Sequence, residues 1–186
     1  VIGCSRSESE LQHENYKHFC LDVSNEKQVN DLFMNIRKQY GRLDVLINNA
    51  GMASMNHTLL TPLSTVNKLF DTNFTGTFLF SRQAVKLMKK NNFGRIVNFS
   101  TVAVPLNLEG EAIYAASKSA IEQFTKVFSK EVASMGITVN TIGPTPIETD
   151  LIKAVPKNKI EELLAQQAKE VQNRVEVSER IYDAVM

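Results

Sequence analysis

This 186-residue sequence predicts a doubly wound α/β fold, a parallel sheet with helices on both faces. Three observations carry that expectation. Short β-rich apolar runs recur at 1–4, 18–23, 45–47, 96–99 and 138–142. Segments with helical spacing of apolar residues lie between the later runs, and strands alternating with helices define a parallel sheet. No repeat or low-complexity linker interrupts the alternation, so residues 1–186 read as one domain.

The first run leads into a short polar connection, residues 6–17, with room for a loop or at most a short helix. Past the second run, a helix over 25–40 opens behind Ser24 as N-cap. It buries Val29, Phe33, Ile36 and Tyr40 at helical spacing and stops at Gly41. The third run is followed by 65–90, one long or broken helix with phenylalanines at 70, 74, 78 and 80. After the fourth run comes a helix over 114–134, closed by Gly136 ahead of the fifth run.

Composition narrows the function classes. Hydrophobic content of 43% and charged content of 22% are globular values. A net charge of +1 gives no electrostatic case for nucleic acid or a membrane surface. Cys4 and Cys20 are too few for a disulfide framework and, sitting in apolar runs, read as buried free thiols in a reducing cytoplasm. His13, His18 and His57 share no metal-ligand spacing. No apolar stretch approaches membrane-spanning length.

In open α/β sheets ligands bind at the carboxyl ends of the strands, so those loops should carry the chemistry. After the first strand stand Ser5 and Arg6, which suit a ribose 2′-phosphate and favour NADP(H) over NAD(H); the other reading is a solvated arginine in a turn. Asp22 ends the second strand, either at an adenine edge or as a helix-capping residue. Asn48-Asn-Ala-Gly51 follows the third, where small residues allow close approach to backbone. Ser100 and Thr101 follow the fourth, and Gly143-Pro-Thr-Pro with Ile147 and Thr149 the fifth.

Tyr114 and Lys118 are four residues apart, which puts a phenol and an ammonium on one helix face. A phenol titrates near pH 10. A lysine beside it favours the phenolate and lowers that value, which makes the tyrosine a usable proton donor and acceptor. The other reading of the pair is a solvated helix face.

The residues that decide between them are Leu43-Asp-Val-Leu-Ile-Asn-Asn-Ala-Gly51, Asn73 in Asp-Thr-Asn-Phe-Thr-Gly, Gly94-Arg-Ile-Val-Asn-Phe-Ser-Thr, Tyr114-Ala-Ala-Ser-Lys118, and Val139-Asn-Thr-Ile-Gly-Pro with Ile147-Glu-Thr149. In order and spacing the chain resembles the short-chain dehydrogenase/reductases, in particular the 3-oxoacyl-[acyl-carrier-protein] reductase-like members. The resemblance implies a hydride transfer between a nicotinamide and a carbonyl or alcohol substrate. Tyr114 is then the general acid, and Lys118 lowers its pKa and bonds the nicotinamide ribose. Asn73 holds a water that links the lysine to solvent. Asp22 and Val23 meet the adenine, Asn48, Ala50 and Gly51 lie beside the adenosine ribose, and Ile147 and Thr149 contact the carboxamide. The resemblance also implies a homodimer or homotetramer through the helices at 65–90 and 114–134.

Two departures stand out. Thr101 occupies the family's serine position, thirteen residues before Tyr114, and keeps the hydroxyl while stiffening χ1. Ser100 should point to the opposite face. Thr145 replaces a glycine. The family's opening strand and glycine-rich turn, and its last strand, have no counterpart in the sequence, which therefore reads as an internal stretch of a longer reductase. The strand expected mid-sheet between the first and third runs is missing, so the first two runs lack a neighbour joining them to the third. The alternative function is a non-catalytic remnant acting as an oligomerisation or binding module.

Overall fold

The computed structural model describes residues 1–144 together with Glu161 and Ala165. Five strands form at the predicted runs: β1 (Ile2–Ser5), β2 (Lys17–Cys20), β3 (Val45–Asn48), β4 (Gly94–Phe99) and β5 (Ile137–Ile142). All pair in parallel, in two sheets ordered β1-β2 and β3-β4-β5. Among the described residues no ladder joins the two sheets. The connection between β1 and β2 is a loop without a helix.

Helix α1 (Glu26–Tyr40) is capped by Asn25, whose side chain accepts from the Gln28 N–H at 3.1 Å. Ser24, the predicted cap, instead donates its hydroxyl to the Asp22 carboxylate at 2.7 Å, one residue outside the helix. Val29, Phe33 and Ile36 are buried as predicted, whereas Tyr40 is 53% exposed because the helix ends there at a left-handed Gly41.

The predicted helix over 65–90 is broken. Helix α2 (Leu63–Phe70) runs into a π-helical turn over Asp71–Thr75, and α3 (Gly76–Met88) continues from it. A π turn adds a residue to the helical repeat and re-aims the side chains it carries, a distortion often found at functional sites. A short α4 (Ala103–Leu106) precedes α5 (Ala112–Val132), which starts two residues before the predicted 114.

One apolar cluster joins Val29, Leu32, Phe33 and Ile36 of α1 to Leu79, Phe80 and Met88 of α3 and to Leu46, Ile96 and Val139 of the sheet. Ile2, Cys4 and Phe19 pack onto it from the other sheet. Leu46, Ile96 and Val139 are aligned in register and share one face. On the opposite face Val45, Ile47 and Ile142 are 52%, 59% and 49% exposed. Among the described residues the two-sided covering of a doubly wound sheet is thus seen on one face. The phenylalanines divide: Phe80 meets Phe33 edge to face in the core, while Phe74 and Phe78 pack on Phe124, which stacks on Phe128 at 4.9 Å.

The two faces give a direct test. Ile96→Ala removes a fully buried side chain and should cost about 2–5 kcal/mol in urea denaturation. Ile47→Ala on the open face should cost less than about 1 kcal/mol.

Candidate active site

The carboxyl ends of β3 and β4 and the first turns of α5 converge on one point. Tyr114 and Lys118 lie one turn apart on α5 and are 7% and 5% exposed, so the pair is not a solvated face. Lys118 Nζ donates to the carbonyl of Phe99, the last residue of β4, at 2.9 Å. Thr101 hydrogen-bonds the Tyr114 hydroxyl. Its own hydroxyl also accepts from the Ala103 N–H at 3.2 Å, which fixes the start of α4. Leu69, Ala103, Met52, Leu108 and Ile113 form a small apolar cluster around Tyr114.

Burial governs the electrostatics. Water stabilises charge, so removing it favours the neutral form of each group. The Lys118 ammonium is pulled down to about 8 by that desolvation. Tyr114 moves the other way: burial raises it, the Thr101 hydrogen bond lowers it, and Glu111 raises it, with a net rise. The sequence predicts that Lys118 lowers the tyrosine. The net shift is instead upward, because loss of solvent, with Glu111, outweighs the Thr101 hydrogen bond that favours the phenolate.

Asn73, fully buried in the π turn, is the clamp beneath the pair. Its carboxamide oxygen accepts from the Met52 N–H at 2.7 Å, and its nitrogen donates to the Met52 carbonyl at 3.0 Å and to Ser117 Oγ at 2.9 Å. Ser117 in turn donates to the Tyr114 carbonyl at 2.7 Å. Thr77 donates to the Asn73 carbonyl at 2.7 Å. Gly51 sits over this assembly. A Cβ there would meet Asn73 Oδ1 and Lys118 Nζ, each at 3.4 Å, so the missing side chain leaves the ammonium a concave approach.

The other predicted positions separate into two groups. Ser5, Arg6 and Asp22 gather at the ends of β1 and β2, with Arg6 close enough to help lower the Asp22 carboxyl. The larger causes of that lowering are the Ser24 hydroxyl and N–H, so Asp22 closes a turn ahead of α1, whose cap is Asn25. Val23 packs its side chain against Gly76 at the head of α3. Asn48 turns inward, donating to Asn98 at 2.8 Å and Ser81 at 3.0 Å, and Asn98 donates to Thr125 at 2.8 Å. Ala50 is exposed between the two groups. Ser100 donates to Glu122, about two turns along α5 from Tyr114. Thr145, Ile147 and Thr149 lie outside the described residues.

Sequence reasoning missed Ser117, Ser81, Asn98 and Thr125. Their signal is a small polar residue at a position whose helical or strand period is buried, where a hydrogen-bond partner is obligatory. Among the described residues no three His, Cys, Asp or Glu side chains gather to hold a metal, and no helix is long and apolar enough to cross a membrane.

A fold with its site at the strand ends, built on Tyr, Lys, Asn and a hydroxyl, has close relatives. Residues 3–160 match the family model for short chain dehydrogenase. A 3-oxoacyl-[acyl-carrier-protein] reductase of Vibrio cholerae is 36% identical over 172 residues, 89% of this chain and 70% of that protein. A short-chain dehydrogenase from Streptomyces avermitilis superposes with a TM-score of 0.76 at 29% identity, over 81% of this chain and 58% of that one. A putative gluconate dehydrogenase from Agrobacterium tumefaciens gives 0.72 at 29% identity, over 76% and 56%. The chain therefore spans less than two thirds of these solved relatives. It belongs to the short-chain dehydrogenase family, and so to the oxidoreductases.

Two measurements probe the clamp and the buried ammonium. Asn73→Ala strands the Met52 amide and should cost about 1–3 kcal/mol in chemical denaturation. For Lys118, the folded value of about 8 lies below the unfolded 10.5. Between them the unfolded chain holds the extra proton, so this group's contribution to stability rises with pH. Wild type should therefore gain stability relative to Lys118→Met as pH goes from 8 to 10, measured by denaturation midpoints.

Proposed function

We propose that this chain belongs to an NADP(H)-dependent oxidoreductase that interconverts a carbonyl and an alcohol, with Tyr114, Thr101, Lys118 and Asn73 as its catalytic group. The observation that carries the reading is the convergence of a buried phenol, a hydroxyl and a buried ammonium beside the open space at Gly51. A nicotinamide bound there supplies or accepts the hydride.

The residues then divide the remaining work. Tyr114 stands above its ordinary phenol value, so it is protonated at neutral pH and can donate to the oxygen of a carbonyl substrate. Thr101 already bonds that hydroxyl and can hold the same substrate oxygen, stabilising charge as it develops. Lys118 points its ammonium to the Gly51 cradle, where ribose hydroxyls would replace or join the Phe99 carbonyl as acceptors. Asn73 keeps the loop carrying Gly51 and Met52 fixed to α5. Ala50 and Gly51 line the approach to the adenosine half, with Asp22 and Val23 beyond them; Asn48, its amide spent on Asn98 and Ser81, can offer only its backbone there, and Ile147 and Thr149 are assigned to the carboxamide.

Ser5 and Arg6 favour NADP(H), since a guanidinium pairs with a phosphate in a charge-assisted fork. The Vibrio cholerae relative is a 3-oxoacyl-[acyl-carrier-protein] reductase, which supports reduction of a carbonyl as the direction. The half-exposed Phe78, beside Phe124 and Phe128, supports assembly of a homodimer or homotetramer through α3 and α5, within a single domain over 1–186. Cys4 is only partly buried and Cys20, at the end of β2, is exposed rather than buried as the sequence predicts; both are free thiols, which suits a cytoplasmic location.

Calorimetric titration with NADPH tests the reading: binding is expected, and its absence in both this chain and a longer form would remove it. Tyr114→Phe should keep NADPH affinity while turnover falls by about 10²–10⁴. Arg6→Asp should move preference towards NADH; an unchanged NADPH/NADH ratio would remove Arg6 as the determinant.

A further inference from the structure

A polar cluster outside the proton-transfer site lies on the β1–β2 sheet and centres on His18. Its Nε2 is 3.0 Å from the Ser7 carbonyl and 3.2 Å from Ser5 Oγ, and its Nδ1 is 2.9 Å from the Tyr16 hydroxyl. Ser5 Oγ also donates to the Ser7 carbonyl at 2.7 Å. A carbonyl can only accept, so Nε2 carries the imidazole proton. Nδ1 is then a bare acceptor, and the Tyr16 hydroxyl donates to it. Ser5, having donated to Ser7, shares the same Nε2 proton as a second acceptor.

This assignment leaves His18 no lone pair towards Ser5, so the trio is not a nucleophile and its base. It is a brace. One ring nitrogen holds both residues that flank Arg6. Tyr16 fixes the ring from behind, lying so close across β1 that a Cβ on Gly3 would come within 2.7 Å of its Cζ. Gly3 and His18 are side by side in register, as are Ser5 and Cys20, so the brace occupies the strand face opposite Cys4 and Phe19, which pack on the core.

We propose that His18, with Tyr16 behind it, is the positioning residue that holds the Ser5–Arg6–Ser7 turn ready for a ribose 2′-phosphate and thereby sets the preference for NADPH. The proposal rests on the cofactor reading above. An unbraced turn would have to be ordered when the phosphate binds, which lowers affinity for the phosphorylated cofactor alone.

Calorimetry on the full chain with NADPH and with NADH reads the effect. His18→Ala should weaken NADPH about tenfold, the loss of roughly one well-made hydrogen-bond set, and leave NADH unchanged. His18→Gln, whose amide nitrogen can still donate to Ser7, should restore most of it. Tyr16→Phe should weaken NADPH in the same direction by a smaller factor. Nitrogen chemical shifts of His18 should report the Nε2-protonated ring. Equal loss for both cofactors would reduce His18 to a general structural role and overturn the proposal, as would an Nδ1-protonated ring. If Arg6→Ala removes the NADPH preference while His18→Ala keeps it, the brace is wrong and the cofactor reading stands. If neither changes the preference, Arg6 is not the phosphate ligand, and the proposal falls with that assignment.

Discussion

The carboxamide of Asn73 is the interaction on which the site depends. With one side chain it ties the Met52 backbone, in the loop after β3, to Ser117 on α5, across sequence separations of 21 and 44 residues. Both polar ends of the amide are consumed in a fully buried place. That requirement explains the π turn. A regular helix through 71–75 would carry position 73 on a different azimuth, and the Met52 amide would be left without an acceptor, at a cost of about 1–3 kcal/mol. Gly51, Lys118 and Tyr114 inherit their relative positions from this clamp.

A second polar layer supports the first. Ser81, Asn48, Asn98 and Thr125 link α3, β3, β4 and α5 by hydrogen bonds of 2.8–3.0 Å directly beneath the strand ends. Buried networks of this kind are stable only when every member is satisfied, and they then specify one arrangement of the elements. The strand ends are thus rigid where the loops above them must hold chemistry. Desolvation has its own consequence, since it moves both Tyr114 and Lys118 towards their neutral forms. A protonated phenol is ready to donate, and an ammonium near 8 gains from any oxygen acceptor that approaches it.

Much of this was legible in the sequence, and the parts that were not have physical reasons. The five strands, α1 and α5 follow from period and termination signals, which are local. Tyr114, Lys118, Asn73 and Thr101 are singled out by the family resemblance their motifs carry, and the structure brings them side by side. The sequence leaves 65–90 as one long or broken helix; the place of the break and its π form are not legible, because Asn73 is held there by Met52, twenty-one residues away. The cap of α1 slipped from Ser24 to Asn25 because Asp22 captures the serine hydroxyl. The sign of the tyrosine shift was missed for a similar reason: spacing reveals the neighbouring charge, but only packing reveals how little water remains. His18 gave no metal-ligand spacing, and its role as a brace depends on Tyr16 folding back over Gly3.

The two ends of the proposed site stand on different sheets. Arg6 and its brace belong to β1–β2, whereas the proton-transfer group belongs to β3–β5 and α5. No ladder hydrogen bond joins the sheets among the described residues, so backbone pairing cannot set the distance between them. What sets it is packing: Ile2, Cys4 and Phe19 rest on the same cluster as Leu46 and Ile96, with Phe33 and Phe80 wedged between α1 and α3. Close-packed side chains transmit position with little give. The apolar core under the strands is therefore part of the proposed cofactor site, since it fixes the span between Arg6 at one end and Tyr114 at the other.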